Sequence, residues 1–327
     1  MKKQLFSIVV PMYNEQDVIH ELYIRLKSIL NNIDNDIGVN HEIIFVNDGS
    51  TDNTEKIARE ICLNDAAVKL INFAGNFGHQ IAVTAGLDYA KGDAIIIMDA
   101  DLQDPPELIT QMIEKYNQGY HVVYAVRKRR KGETIFKKIT AKLFYRLLSL
   151  MTNIEIPLDT GDFRLISKEV CCILKIMKEK NRFIRGLVSW IGFKQTGIDY
   201  IRNERLAGKT KYSISKMIKL SLDGIVSFST KPLKLSTFLG FGMSFFAFLY
   251  IVYAIIIKFA FNKSEPGWTS LTVLILLIGG VQMIMLGIVG EYISRIYDES
   301  KNRPLYIIKD DINIEHIEKR CYSRCSE

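Results

Sequence analysis

The sequence predicts an α/β protein: a Rossmann-like domain on a mostly parallel sheet, then amphipathic juxtamembrane helices and two C-terminal transmembrane helices. Three observations carry this prediction. Short β-rich runs alternate with helical stretches through the first 126 residues, and alternation at that spacing makes crossover units, which need parallel strands. Two C-terminal stretches, 235–257 and 266–290, hold no charged residue. Polar clusters follow the strands, and in such sheets ligands bind beyond the carboxyl ends of the strands.

In chain order, the strands are expected at 6–12 (FSIVVPM), 41–47 (HEIIFVN), 68–73 (VKLINF), 93–99 (DAIIIMD) and 121–126 (HVVYAV), with helices such as 16–32 and 105–118 between them. The clusters YNE, NDGSTDNT and DADLQD follow the first, second and fourth strands and converge on one edge. Asp48 in the second cluster suits a nucleoside edge or ribose, and equally a turn or helix cap. Asp99 and Asp101 end an apolar strand one residue apart, so both carboxylates are expected to face one site. Hard oxygen ligands in that pattern suit Mg²⁺ or Mn²⁺ bound with a diphosphate.

Each charge-free stretch exceeds the roughly 20 residues that a helix needs to cross a bilayer. Lys231 and Lys234 precede the first, and Arg295, Lys301 and Arg303 follow the second. That bias places both termini and the N-terminal domain in the cytoplasm, with a short external loop; the N-terminus does not read as a signal peptide. The expected divisions are a cytoplasmic α/β domain at 1–211, juxtamembrane helices at 212–234, two spans within 235–291 and a cytoplasmic tail at 292–327.

Hydrophobic residues make up 48% of the 327 and the formal net charge is +7, which fits a protein that handles anions at a membrane surface. The basic residues are densest at 127–138 (RKRRKGETIFKK). Attraction to anionic lipid explains them more simply than nucleic-acid binding. The segment that follows, with Ile135, Ile139, Leu143, Phe144 and Leu147 at helical spacing, fits an interfacial helix or a core-packed one. The five cysteines lack metal spacing and read as free thiols. Gly279, Gly280, Gly287 and Gly290 offer small surfaces for close contact of the second span.

No G-x-G-x-x-G follows the first strand and no G-x-x-x-x-G-K-[ST] occurs, which argues against a dinucleotide oxidoreductase or P-loop NTPase. The stretches VVPMYNE, FVNDGSTDNT, MDADLQDPPE, TGDFRLIS and ERLAGKTKYS instead resemble family 2 glycosyltransferases with a GT-A fold. With the double span they resemble the bactoprenol glucosyltransferase branch, related to dolichyl-phosphate mannose synthases.

That resemblance implies a UDP-linked nucleotide sugar (glucose by default, other hexoses and N-acetylhexosamines as alternatives), an undecaprenyl phosphate acceptor in the bacterial cytoplasmic membrane, and a possible homo-tetramer. By motif, Pro11, Tyr13, Glu15 and Asp48 bracket the nucleoside. Asp99 lies near ribose and diphosphate, and Asp101 and Gln103 join it at the metal. Arg205 and Lys211 neutralise phosphate, and Arg127 and Arg164 count as further phosphate or acceptor ligands. Asp162 is either the base or an orienting group; an acceptor phosphate is already ionised near neutrality, so a strong base is less necessary. Direct displacement gives a β-linked product.

Two rivals stand beside this reading. A processive polysaccharide synthase carries Q-x-x-R-W and more spans, whereas here only Arg185 and Trp190 lie nearby, at another spacing. A membrane-anchored nucleotide-sugar-binding scaffold without turnover differs from an enzyme by its failure to hydrolyse the donor.

Overall fold

The computed structural model describes residues 3–129, 160–177, 179–201, 229–261 and 267–314. These fall into two compact units. One holds the chain up to Ile201 together with residues from Arg303 onward; the other holds the long helices up to Asn302.

The first unit is built on eight strands. In chain order its elements are β1 (Leu5–Met12), α1 (Ile19–Ile37), β2 (Asn40–Asn47), α2 (Thr54–Asn64), β3 (Val68–Phe73), α3 (His79–Tyr89), β4 (Ala94–Ile97), α4 (Leu108–Asn117), β5 (Val122–Arg129), β6 (Thr160–Ser167), α5 (Lys168–Ile176), α6 (Ile184–Ile191) and β7 (Gln195–Ile201), with β8 (Ile308–Ile312) near the end of the described chain. The sheet order is β7-β5-β6-β4-β1-β2-β3-β8. β1 pairs in parallel with β2 and β4, β2 with β3, and β5 with β7; β6 and β8 run antiparallel to their neighbours. The five expected strands all form, and the expected mostly parallel α/β sheet is the one observed.

The alternating pattern of β1 buries Phe6, Ile8, Val10 and Met12 in one core with Leu22, Leu26 and Leu30, which recur every four residues along α1. On the other face of β1, α3 approaches so closely that a Cβ on Gly86 would lie 2.2 Å from Val9 Cγ1. Glycine at that position lets helix and strand touch.

Two features depart from expectation. β4 ends at Ile97, so Asp99 and Asp101 stand in a turn and not on alternating strand positions. Residues 292–327 were expected to form a tail, yet Ile308–Ile312 within them pairs with β3 and covers its edge. Around it, Asp310 Oδ1 accepts from Arg59 and from Asn72 Nδ2, and Asn313 Nδ2 donates to the carbonyls of Cys62 and Val68 at 2.8 Å. The Tyr306 hydroxyl donates to Asp88 Oδ2 at 2.8 Å, and its ring stacks on Phe73.

The second unit contains α7 (Lys231–Phe261) and α8 (Trp268–Ser300). Both are long and apolar enough to cross a membrane. Their large apolar side chains, including Phe238, Phe246, Phe259, Met283 and Leu286, are exposed, unlike those of a buried core helix. α8 continues past the charge-free stretch into a polar end bearing Glu291, Arg295 and Asp298. Glycine-mediated contact of the second span is not seen within the chain: among the described residues, nothing lies within 4 Å of a Cβ placed on Gly279, Gly280, Gly287 or Gly290. The helix expected at 135–147 lies outside the described residues, as does 212–228 of the juxtamembrane segment expected at 212–234, whose end from Lys231 is already part of α7.

Candidate active site

The loops after β1 and β2 are stitched together. Asn14, in the left-handed region at φ 54°, donates its backbone N–H to Ser50 Oγ, and its Oδ1 accepts from Thr51 N at 2.8 Å. Glu15 N donates to Thr54 Oγ1 and Gln16 N to Asp52 Oδ2. Pro11 is buried in β1, opposite Val46 of β2, and Tyr13 is exposed. These residues share one sheet edge with Asp48.

Asp48 is buried, and its carboxylate accepts from Phe77 N at 2.7 Å and Gly78 N at 2.9 Å. Burial raises its pKa, against the pull of those two amides. The side chain therefore anchors the loop that leads into α3. Gly49 is pinned beneath that loop: at φ +67°, a Cβ there would sit 2.5 Å from the Gly75 carbonyl carbon.

Asp99, in the loop after β4, and Asp162, on β6, both approach His79. Ile97, the last residue of β4, pairs with Arg164 in the antiparallel register, which brings the loop after β4 beside Asp162 near the start of β6. His79, the first residue of α3, stands between them, with Nε2 3.2 Å from Asp162 Oδ2 and 3.4 Å from Asp99 Oδ1. Gln80 Nε2 donates to Asp162 Oδ2 at 3.1 Å, while Gln80 Oε1 accepts from Ile184 N at the start of α6. Arg185 Nε lies 3.1 Å from Asp162 Oδ1.

The charges respond to this packing. Burial pushes Asp99 up to about 6, opposed by His79 and assisted by Asp162, Asp104 and Asp101. For Asp162 burial also acts upward, but Arg185, His79 and Arg164 outweigh it and hold the carboxyl well below the usual range. His79 is pushed up to about 9: burial opposes its charge, and Asp99 and Asp162 overcome that.

The DADLQD turn is held from below. Leu102 adopts φ 56°, a left-handed conformation that is an outlier for a bulky side chain. It is buried in the core, whereas Asp101 and Gln103 on either side are partly exposed. Asp101 Oδ1 accepts from Gln103 N at 3.1 Å. Asp104 is buried, accepts from the Tyr200 hydroxyl, and pairs with Arg127 at 3.5 Å; Arg127 Nε donates to the Tyr200 hydroxyl at 3.0 Å. Gly161 leaves room for this guanidinium, since a Cβ there would lie 2.4 Å from Arg127 Nη2.

Of the sequence-expected residues, Asp99 and Asp162 are brought together, with Asp101 and Gln103 on the adjoining turn. Arg127 and Arg164 each have partners within the protein. Arg127 is committed to Asp104 and Tyr200. Arg164 is buried, donates to the Gly161 carbonyl at 2.9 Å, and is lowered to about 10 by burial. Arg205 and Lys211 lie outside the described residues. His79, Gln80 and Arg185 were not among the expected site residues. No local motif marks them, because they reach Asp162 from the N-termini of two separate helices, α3 and α6.

Among the described residues, no group of three or more His, Cys, Asp or Glu side chains forms a metal cage. The donor set still fits a hard divalent cation that arrives with phosphate. Asp99 Oδ1 is buried without a hydrogen-bond partner, Asp101 adjoins it, and Mg²⁺ is usually held by one or two carboxylates plus substrate phosphates.

The profile of glycosyl transferase family 2 matches residues 7–174, which contain every one of these loops and Asp162. The chain belongs to glycosyl transferase family 2. The profile of the GtrB C-terminal hairpin matches residues 231–296, which take in most of α7 and α8. This glycosyltransferase, with its GT-A fold, is 57% identical over 317 residues to the uncharacterized glycosyltransferase YkcC of Bacillus subtilis (strain 168), covering 97% of this chain and 96% of that one. It is 43% identical over 303 residues to the prophage bactoprenol glucosyl transferase homolog of Escherichia coli (strain K12), with 93% and 98% covered. It is 42% identical over 305 residues to the bactoprenol glucosyl transferase of Shigella phage SfV, with the same coverage.

Proposed function

We propose that this glycosyltransferase moves glucose from UDP-glucose to undecaprenyl phosphate at the cytoplasmic face of a bacterial membrane, giving a β-linked lipid phosphate sugar. The observation that carries this reading is the likeness to bactoprenol glucosyl transferases along 93% of the chain, hairpin included.

In this reading Pro11, Tyr13, Glu15 and Asp48 form the nucleoside side of the site, with Asp48 acting through the loop it anchors. Asp99, Asp101 and Gln103 hold Mg²⁺ or Mn²⁺ together with the donor diphosphate. The cation supplies charge stabilisation to the leaving group. The bond from the anomeric carbon to the acceptor phosphate oxygen forms as the bond to the diphosphate breaks, and UDP leaves with the electron pair. No proton need be removed from an ionised phosphate. Asp162, which accepts from Gln80 on Oδ2 and lies in ion contact with His79 and Arg185, is suited to orienting its partners and poorly suited to taking up a proton.

The test is purified full-length protein with undecaprenyl phosphate, Mg²⁺ or Mn²⁺ and a panel of nucleotide sugars, read by mass spectrometry of the lipid. Product from UDP-glucose, lost in Asp101→Ala and on chelation, is the expected result. Product from a different donor would replace the sugar. Donor hydrolysis without a lipid product would replace the acceptor.

A further inference from the structure

Arg185 is the one guanidinium among the described residues that touches Asp162 through an ion contact and also keeps part of its side chain in solvent. We infer that Arg185 receives the phosphate of the lipid acceptor, held ready for it by Asp162. This rests on the proposed function and names a residue for the acceptor's charged end.

Geometry fixes the guanidinium from several sides. Nε faces Asp162 Oδ1 at 3.1 Å, Nη1 donates to the Thr160 carbonyl at 3.1 Å, and the Phe183 ring lies 5.1 Å from its central carbon. Among the described residues Nη2 makes no hydrogen bond, and the side chain is 19% exposed. An arginine held this way has lost much of its rotamer freedom before ligand arrives, and its planar fork suits phosphate oxygens.

Charge argues the same way. Arg185 and Arg164 both pull the Asp162 carboxyl down. Arg164 is buried and turned to the Gly161 carbonyl, which leaves Arg185 to meet an incoming anion. α6 begins one residue earlier, and its first amide is already satisfied by Gln80. That contact fixes where the arginine starts.

Position separates the acceptor from the donor. Asp162 turns Oδ2 toward His79, which also touches Asp99, and turns Oδ1 toward Arg185. Arg185 thus contacts the carboxylate oxygen that His79 and Gln80 leave free of hydrogen bonds.

The experiment compares wild type, Arg185→Gln and Arg185→Lys as full-length proteins, measuring KM for undecaprenyl phosphate, kcat, and UDP affinity by calorimetry. A charge-assisted hydrogen bond to phosphate predicts that Arg185→Gln raises acceptor KM by about tenfold or more. UDP affinity should stay within about twofold, which also shows that the donor side remains folded, and Arg185→Lys should fall between. An unchanged acceptor KM overturns the inference. So does a parallel fall in UDP affinity in both variants, which would make Arg185 a support of the whole site. Wild-type turnover with an unaffected Arg185→Gln sinks this inference alone, whereas wild type that neither binds nor glycosylates undecaprenyl phosphate sinks the proposed function and this inference together.

Discussion

At the scale of single residues, His79 shows how a site can be built from opposing charges. Its ring lies between Asp99 and Asp162, and the two carboxylates push its pKa up to about 9 against the effect of burial. A histidine raised in the folded protein stabilises fully below its unfolded value near 6.5 and loses that contribution as pH rises through about 9. The melting temperature of the wild type should therefore fall between pH 6.5 and 9 by more than that of His79→Gln. Melting curves at those two pH values check it, and equal slopes for the two proteins would show that His79 is not charged in this pair. Asp162 works in the opposite direction: depressed when folded, it stabilises at neutral pH and loses that contribution only in strong acid. Asp48 shows that a residue expected to meet a nucleoside can serve the backbone first, since Phe77 N and Gly78 N occupy its carboxylate.

At the scale of elements, the edge of the sheet opposite the site is locked by a buried polar knot. Glu42 on β2 accepts from Ser7 Oγ on β1, from Lys91 N in the turn before β4, and from Lys69 Nζ on β3. Gly92 N donates to Ser7 Oγ at 2.8 Å. One carboxylate thus ties three strands and a turn, and its removal would strand a nearly buried ammonium and an amide. Glu42→Ala should lower stability by about 3 kcal/mol, the usual cost of breaking a buried pair by deleting one partner. Urea unfolding would show it as a lower midpoint, and a midpoint within error of wild type would mean that water replaces the carboxylate.

The whole molecule joins an α/β catalytic unit to a pair of helices long enough to cross a membrane, and the chain returns from those helices to the sheet. β8 covers the edge of β3 and brings Tyr306, Asp310 and Asn313 to Asp88, to Arg59 and Asn72, and to the backbone of Cys62 and Val68. An uncovered edge strand invites pairing with other chains. Ending the chain after Asn302 should therefore lower the melting temperature by about 5–10 °C, at about 1 kcal/mol for each of several lost hydrogen bonds, and increase aggregation on light scattering. A truncated protein that melts with the full chain and stays dispersed would show that the strand is dispensable.

The sequence by itself determined the features that repeat locally. The β-rich runs alternate with helical stretches such as 16–32, and two uncharged stretches mark the long helices. The DADLQD turn was equally legible, because an apolar strand that stops at carboxylates needs a partner for their charge. Only the tertiary structure decided which groups those partners are. His79 meets both Asp99 and the distant Asp162, Gln80 meets Asp162 across more than 80 residues, and Arg185 reaches Asp162 from a separate helix. Tertiary packing also turned Arg164 inward, committed Arg127 to Asp104, and returned Ile308–Ile312 to the sheet. Periodicity reports how one element buries its own face, whereas an ion pair between elements depends on where the sheet order places their ends, and no short stretch of sequence contains that.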